Sequence, residues 1–240
     1  GKTGKAVASV ILQSEDFCLK WVLRQKKILD KRSVPEFLGI DSEDPGLVYS
    51  TSTTKIDELL DKQPVDVIID FSSATGIYNY GESASKRKIK IISAISHYGE
   101  KEIQLLKTLS KKTCVFWSPN ITLGVNYLLF AAKFLQKIAP CVDIEIIEEH
   151  FKLKEGISGT AIKIAEALDL KKSKINTIRA GGIVGKHEVI FGFPYQTVRL
   201  IHESISREAF GNGAIFVARN IINKNKGFYK FEDILLPYFA

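Results

Sequence analysis

The sequence lacks the features that mark membrane and secreted proteins. No apolar run approaches the roughly 20 residues that a membrane-spanning helix requires, and no cleavable signal sequence is visible. The expectation is therefore a cytoplasmic protein with no membrane partner. Only three cysteines occur, Cys18, Cys114 and Cys141. Their scatter through apolar stretches predicts buried free thiols in a reducing compartment and no disulfide framework.

Motifs for metal binding and serine catalysis are missing as well. No spacing of His, Cys and Asp resembles a metal site, and the Gly-x-Ser-x-Gly sequence of a nucleophile elbow is absent. Methionine is absent too, which is improbable for a chain of 240 residues.

The excess of positive over negative charge is small. The net charge is +7, which suggests an anionic partner. The basic residues are dispersed, and no stripe alternates them with aromatic residues, so a small acidic ligand is favoured over nucleic acid. The 45% hydrophobic and 25% charged content is ordinary for a globular protein, and the length suits one large or two modest domains.

The first half of the chain alternates between strand-like and helix-like segments. Apolar strand-like runs occupy residues 16–23, 66–72, 88–96 and 113–120. Between them, residues 75–87 and 99–111 have helical spacing, with Ile103, Leu106 and Leu109 on one face of the second helix. This alternation predicts βαβ units and a parallel sheet.

The pattern changes from residue 121. Residues 123–139 are typical of an apolar helix, and residues 142–150 alternate as a half-buried strand that ends at His150. A short helix is expected over about residues 160–168, antiparallel strands over 175–193 and 196–206, and a closing helix over 207–222. The inner face of the short helix is expected to contain Ala161, Ile164, Ala165 and Leu168.

These patterns predict an α/β protein with two domains. An N-terminal Rossmann-like domain with a parallel sheet covers residues 1–120 and is completed by the C-terminal segment 207–240. An α+β domain with a mixed sheet covers residues 121–206 and is expected to bind substrate and to form oligomers.

Ligands of an open parallel sheet bind beyond the carboxyl ends of its strands. In this sequence those ends are Arg24–Lys27, Phe71–Ser73, Ala94–His97 and Ser118–Asn120. The opening GKTGKAV resembles the end of a glycine-rich phosphate turn, in which Gly1 and Gly4 precede a helix whose N–H groups favour a pyrophosphate. The alternative is an ordinary loop, since Gly-x-x-Gly is common.

The cluster Arg-Gln-Lys-Lys at residues 24–27 bears on cofactor choice. Dinucleotide folds that prefer NAD usually place an acidic residue after the second strand. A basic cluster without an acid suits the 2′-phosphate of NADP. The alternative interpretation is a solvated, lysine-rich turn.

The segment EEHFKLKEGISGTA, residues 148–161, combines a proton donor with anion-binding groups. His150 is suited to proton transfer near neutral pH. The backbone and hydroxyl groups of Ser158, Gly159 and Thr160 could hold a carboxylate at a helix start. In an extended loop, Lys152 and Lys154 would point to one side. The alternative is that Ser158 or Thr160 only caps the helix and that His150 only ends a strand.

Several segments resemble the 4-hydroxy-tetrahydrodipicolinate reductase (dihydrodipicolinate reductase) family of the bacterial lysine and diaminopimelate pathway. The similarity runs nearly end to end. The most diagnostic stretch is HFKLKEGISGT, which is similar to the family's His-His-x-x-Lys-x-Asp-Ala-Pro-Ser-Gly-Thr. The other similar segments are GKTGKAV, VIIDFSSA, SPNITLGVN, IRAGGIVGKHEVIFG and HESISREAFGNGA.

The resemblance implies an NAD(P)H-dependent oxidoreductase of lysine and diaminopimelate biosynthesis. It would reduce a cyclic dicarboxylate imine, 4-hydroxy-tetrahydrodipicolinate, with His150 as the proton donor and Lys154 as the lysine that binds the substrate carboxylate. Ser158, Gly159 and Thr160 would bind substrate, and a homotetramer is implied. The nicotinamide of NADPH or NADH would lie between the domains. The implied cofactor-binding residues are Gly1, Gly4, Arg24, Lys26, Phe71, Ser72, Ala94, Ile95, Ser118 and Asn120.

The sequence departs from the family pattern at three places. Phe151 replaces the second histidine, Glu155-Gly156-Ile157 replaces Asp-Ala-Pro with one position fewer, and Ser-Ala-Ile-Ser at 93–96 replaces Gly-Thr-Thr-Gly. Two alternatives therefore stay open: a related imine or amino-acid dehydrogenase with a different substrate, and a catalytically silent dinucleotide-binding sensor.

Overall fold

The computed structural model describes residues 1–239, which form two compact units. One unit consists of residues 1–121 together with the chain from Phe210 onward, and the other of residues 122–209. Each has its own sheet and its own apolar core. The last position of the predicted segment 207–240 lies outside the described residues.

Helices and strands alternate up to residue 121, as βαβ units require, whereas β7, β8 and β9 follow one another directly. Up to residue 121 they are α1 Lys2–Leu12, β1 Trp21–Arg24, α2 Val34–Leu38, β2 Leu47–Ser50, α3 Ile56–Lys62, β3 Val67–Asp70, α4 Ile77–Lys86, β4 Lys90–Ser93, α5 Glu100–Leu109 and β5 Cys114–Trp117. After it they are α6 Leu123–Ile138, β6 Asp143–His150, α7 Gly159–Ala167, β7 Ile175–Arg179, β8 Lys186–Phe193, β9 Gln196–Glu203, α8 Glu208–Ile221, β10 Gly227–Tyr229 and α9 Phe231–Leu235.

The sheet of the first unit is parallel, as the sequence predicts. Its strand order is β10-β5-β4-β3, and β1 and β2 pair in parallel as a separate two-stranded sheet. Ile91, Ile92, Val115 and Phe116 are fully buried because helices cover both faces of a parallel sheet. The C-terminal β10 adds an edge strand to β5.

The first predicted strand is shorter than expected. The sequence predicts a strand over residues 16–23, but β1 begins only at Trp21. The backbone N–H of Leu19 donates to the Asp44 carboxylate at 2.6 Å instead of to a neighbouring strand. A side chain from a distant loop therefore takes the hydrogen bond that would have extended the strand.

The sheet of the second unit is mixed, with strand order β7-β6-β8-β9. Strands β6, β8 and β9 are antiparallel neighbours, as expected for β8 and β9. The prediction is wrong for β7, which pairs in parallel with β6. Helix α7 connects the two strands as a crossover, and a crossover returns the chain in the same direction.

Helices α6 and α7 supply the apolar layer against this mixed sheet. The predicted inner face of α7 is confirmed, since Ala161, Ile164, Ala165 and Leu168 are almost completely buried. The strands contribute Ile146, Val189 and Phe191, each with no exposed surface. This core fixes the carboxyl end of β6 next to the first turn of α7.

The prediction for the cysteines is correct for one of the three. Cys114 is buried in β5, but Cys18 and Cys141 are exposed. Cys18 lies in the irregular segment before β1, and Cys141 in the turn between α6 and β6, so no sheet or helix face covers them. Across residues 1–239, none of the helices combines the length and the apolar character needed to traverse a bilayer.

Candidate active site

Strand β6 places two titratable side chains on its buried face. Alternate residues along the strand point inward: first Ile144 and Ile146, then Glu148 and His150. The inward face is thus apolar where it meets α7 and becomes polar at its carboxyl end. Glu148 has no exposed surface, and His150 is only 8% exposed.

Three groups donate hydrogen bonds to the buried Glu148 carboxylate. It accepts a short hydrogen bond from Nδ1 of His150. The Arg179 guanidinium donates to both carboxylate oxygens, at 3.0 and 2.5 Å, and the backbone N–H of Ser158 donates at 3.2 Å. A buried carboxylate needs this many donors because it has lost its water.

Arg179 also fixes the loop between β6 and α7. The parallel register places it opposite His150. Its guanidinium donates to the carbonyl oxygens of Lys154 at 3.0 Å and of Gly156 at 2.6 Å. One side chain therefore binds the buried carboxylate and the backbone of the loop at the same time.

The loop is a turn rather than the extended segment that the alternation of its lysines suggests. The Lys154 N–H donates to the Phe151 carbonyl at 3.0 Å, which closes the turn. Phe151 and Lys152 are exposed, and Lys154 is half-buried. Within residues 1–239 the Lys154 ammonium forms no ion pair. Its charge is therefore available to an anionic ligand.

The start of α7 is capped from inside the protein. Ser158 is the N-cap residue, and its hydroxyl accepts from the Thr160 N–H at 3.2 Å. That hydroxyl also lies 3.0 Å from Nε2 of His187. Ser158 is 3% exposed, whereas Gly159 is exposed at the first helical position, where an N–H has no intrahelical acceptor. Ser158 therefore caps the helix, as one of the two interpretations of the sequence expects. Gly159 is the exposed residue of this helix start.

His187 on β8 also belongs to this cluster. Its ring packs edge-on against His150 with 5.3 Å between centroids, and its Nδ1 is buried without a partner among the described residues. Burial, with the nearby charges of His150 and His202, lowers the pKa of His187 to about 4. His187 is therefore neutral near pH 7.

The pKa values of the central pair reflect opposing effects. Burial lowers the pKa of His150, and the Glu148 carboxylate opposes this by stabilising the imidazolium. Burial would raise the pKa of Glu148, but hydrogen bonds from Arg179, His150 and the Ser158 amide outweigh it, so that pKa is lowered. Glu148 is therefore ionised at neutral pH, and the net effect at His150 is a pKa below that of a free histidine.

Gly185 leaves the second nitrogen of His150 accessible. A Cβ atom at this position would lie 3.0 Å from Nε2 of His150. A larger residue would press on that nitrogen, whereas Nδ1 already faces Glu148. The two ring nitrogens of His150 therefore face different groups: Nδ1 faces Glu148, and Nε2 faces Gly185.

The predicted cofactor residues lie in the first unit, at the ends of its strands. In the parallel register, Asp70 pairs with Ser93, and Ser93 with Trp117. The segments that follow these residues therefore leave the sheet at one edge. They contain Phe71, Ser72, Ala94, Ile95, Ser118 and Asn120.

Hydrogen bonds connect these strand-end segments. The Ser72 N–H donates to the Asp70 carboxylate at 2.8 Å. The Trp117 indole donates to the Ile95 carbonyl at 3.0 Å, and the Ser118 hydroxyl to the Asn120 carbonyl at 2.5 Å. The loops are thus held in place without any ligand.

Gly1 and Gly4 lie at the start of α1, where the sequence predicts a phosphate turn. Gly1 is the N-cap residue, and Gly4 lies in the first turn. A Cβ atom built at either glycine meets nothing within 4 Å. A helix start of this kind offers free backbone N–H groups to an anion such as a pyrophosphate.

The basic cluster follows β1 directly. Arg24 is the last residue of the strand, and Lys26 and Lys27 are exposed in the turn after it. Asp30 lies in the same turn, and its carboxylate accepts a hydrogen bond from the Ser50 N–H at 2.8 Å. Lys26 and Lys27 therefore present positive charge at the surface.

Glu148, Arg179, His187 and Gly185 are missing from the residues that the sequence predicts. The signal for Glu148 is its spacing of two from His150, which places both on one strand face. The other three become neighbours only through the pairing of β7 and β8 with β6. In the described part of the chain, no group of three or more His, Cys, Asp or Glu side chains could hold a metal ion.

Comparison with known proteins shows similarity along the whole chain. A family model described as dihydrodipicolinate reductase, N-terminus, matches residues 1–121, and one described as dihydrodipicolinate reductase, C-terminus, matches residues 121–235. The curated 4-hydroxy-tetrahydrodipicolinate reductase of Aquifex aeolicus is 30% identical over 98% of this chain and 95% of its own. That of Caldanaerobacter subterraneus is 35% identical over 72% of this chain and 78% of its own.

A solved structure has the same fold. The dihydrodipicolinate reductase of Paenisporosarcina sp. TG-14, solved with dipicolinate bound, aligns with a TM-score of 0.79. The alignment covers 98% of this chain and 96% of that one at 21% sequence identity.

Proposed function

Because the chain belongs to the dihydrodipicolinate reductase family, we propose that it reduces 4-hydroxy-tetrahydrodipicolinate to tetrahydrodipicolinate with NAD(P)H. The observation that carries this proposal is the cluster at the end of β6. A buried imidazole, His150, lies beside the unpaired ammonium of Lys154 and the start of α7. A cyclic dicarboxylate needs these groups: a cation, helix N–H groups and a proton donor.

The residues of the second unit bind the substrate and supply the proton. The Lys154 ammonium pairs with one carboxylate of the ring, and the Gly159 N–H and the Thr160 side chain at the start of α7 contact the substrate from the helix. His150, in its charged form, gives its Nε2 proton to the atom that gains negative charge. Bound NAD(P)H supplies the hydride.

The first unit binds the cofactor at the edge described above. Gly1 and Gly4 leave room for the pyrophosphate at the start of α1. The segments that contain Phe71, Ser72, Ala94, Ile95, Ser118 and Asn120 face the rest of the dinucleotide beyond the strand ends.

NADPH is the preferred cofactor in this proposal. Lys26 is exposed and Arg24 is half-buried at the end of β1, and residues 24–29 contain no acidic side chain that could accept from a ribose hydroxyl. Two cations attract the 2′-phosphate that distinguishes NADPH from NADH. Fluorescence titration with each cofactor tests this preference, and tighter binding of NADH would contradict it.

A homotetramer is part of the same proposal. Strand β9 forms an edge of the mixed sheet, and Ile201 on it is 56% exposed. An exposed edge strand with apolar side chains is suited to pairing with another copy. Light scattering coupled to size-exclusion chromatography measures the mass in solution, and a monomer at micromolar concentration would refute this part.

A coupled assay tests the reaction itself. Aspartate semialdehyde, pyruvate and the preceding synthase generate the unstable substrate in place, and loss of NADPH absorbance reports its reduction. We expect turnover that requires all three additions. Cofactor binding without turnover would instead support the silent-sensor alternative, and turnover on other imines alone would support the altered dehydrogenase.

A further inference from the structure

The buried carboxylate beside His150 needs an explanation beyond stability. Glu148 has no exposed surface, and taking a carboxylate out of water is strongly unfavourable even after relaxation. Replacing such a buried ion pair with apolar residues is often neutral or stabilising. Glu148, Arg179 and His150 therefore form an arrangement that packing alone does not require.

The hydrogen bond determines which nitrogen of His150 carries the proton. An ionised carboxylate only accepts, so Nδ1 of His150 must donate to Glu148. In the neutral ring the other nitrogen, Nε2, then has a lone pair, and in the charged ring Nε2 carries the transferable proton. Nε2 is the atom beside Gly185, away from Glu148.

The carboxylate is itself held by groups from two other segments. Arg179 on β7 contacts both of its oxygens, and the Ser158 N–H at the start of α7 contacts one of them. The imidazole therefore cannot rotate without breaking its hydrogen bond to the Glu148 carboxylate, which Arg179 and the Ser158 N–H also hold in place.

We propose that Glu148 is the positioning residue for His150: it holds Nδ1–H inward, so that Nε2 delivers the proton and the ring returns to a single neutral tautomer. This inference deepens the proposed function and rests on it. The proton leaves Nε2 for the substrate, Nδ1–H stays bonded to Glu148, and the ring changes from charged to neutral. No other reactant is needed.

Four groups face the His150 ring and determine its titration. Glu148 from β6 stabilises the charged ring, whereas Arg179 from β7 and Lys154 from the loop oppose it through their positive charge. His187 from β8 packs against it and stays neutral. Among these four, Glu148 alone favours the protonated acid, so its removal shifts the balance toward the neutral ring.

The test compares Glu148→Gln with two matched variants. Glu148→Asp keeps the charge but withdraws it by one methylene, and Glu149→Gln removes the neighbouring carboxylate, which pairs with Lys186 at 2.7 Å. We expect Glu148→Gln to lower kcat about 10-fold or more, with little change in the Kd for NADPH. Without the carboxylate, the His150 ring is less well oriented and less often protonated. As the pH is raised, the rate of Glu148→Gln should begin to fall at a lower pH than the wild-type rate does. Glu148→Asp should recover part of the rate and the wild-type pH profile, and Glu149→Gln should match wild type.

Nitrogen-15 NMR of the histidine rings supplies a readout that does not depend on turnover. Wild-type His150 should be the Nδ1–H tautomer when neutral, and Glu148→Gln should lower its pKa and mix the tautomers. A wild-type Nε2–H tautomer, or a Glu148→Gln variant with unchanged pH profile and tautomer, would overturn the inference. If Glu148→Gln does not fold, the wild-type tautomer and the Glu148→Asp profile still decide. Absence of turnover in wild type with a correct tautomer would refute the proposed function and leave the positioning intact.

Discussion

The two compact units use their polar residues in different ways. The second unit buries a connected group, Glu148, His150 and His187, and shifts the pKa of each member. The first unit keeps Lys26 and Lys27 of its basic cluster exposed and closes its strand-end loops with hydrogen bonds. Buried groups interact strongly because water does not screen them, whereas exposed ones are screened. Substitutions in the second unit should therefore change chemistry, and those in the first should change cofactor affinity modestly.

The largest expected effect is that of His150→Gln. Removing a general acid typically costs about 10²-fold or more in turnover, and glutamine keeps a similar shape without a transferable proton. The coupled assay measures kcat, and NADPH titration checks the first unit. Wild-type turnover in this variant would show that His150 is not the acid. It would also contradict the expectation that substitutions in the second unit change the chemistry.

Lys154→Ala comes next. A hydrogen bond to a charged group contributes roughly 1.5–3 kcal/mol, so we expect kcat/KM for the imine to fall about 10- to 100-fold, mainly through KM. Lys171→Ala, an exposed lysine of the same unit, is the control and should behave as wild type. An equal loss in both variants would show that overall charge, rather than the position of Lys154, attracts the substrate.

A smaller effect is expected for Lys26→Ala in the first unit. Exposed ion pairs contribute about 0.2–1 kcal/mol, so the Kd for NADPH should rise only a few-fold while the Kd for NADH stays constant. Lys31→Ala is a suitable control because that ammonium lies over the Tyr49 ring at 3.8 Å. A parallel loss of affinity for both cofactors would refute the role of the cluster in recognising a 2′-phosphate.

The last prediction is a pH dependence of the stability of the second unit. An unfolded histidine has a pKa of about 6.5, whereas that of His187 is lowered to about 4. The unfolded chain therefore binds the proton first, and the free energy of unfolding falls as the pH drops through this window, by on the order of 1 kcal/mol per pH unit.

Hydrogen exchange of the β8 amides between pH 7 and 5 measures this dependence. After correction for the intrinsic exchange rate, His187→Asn should show a shallower loss of protection than wild type. His97→Asn, an exposed histidine of the first unit, should leave the loss unchanged. An unaltered slope in His187→Asn would mean that His187 does not carry the linkage.

The fold could be predicted from local sequence patterns more completely than the candidate site could. Apolar alternation located β6, and helical spacing located the buried face of α7, because neighbouring residues determine both. The parallel pairing of β7 escaped prediction because it depends on where α7 returns the chain. Exposure of Cys18 and Cys141 likewise depends on packing that no local pattern encodes.

The site follows the same division. His150, Lys154 and the helix start lie within one short segment, so the sequence brings them together. Arg179 and His187 are distant in sequence, and only strand register places them beside Glu148. Glu148 itself was accessible to prediction through its spacing from His150, but a carboxylate on a strand is usually solvated, and its burial depends on those distant partners.

Arg179 holds the β6–α7 loop by its carbonyl oxygens, and carbonyl oxygens are the same in every amino acid. Residues 155 and 157 can therefore change without breaking these two hydrogen bonds. Gly156 is the exception, since its φ of 62° is one that few other residues adopt. The loop should therefore tolerate substitutions at residues 155 and 157 as long as Gly156 is kept. Libraries randomised at these two positions could be used to alter substrate choice.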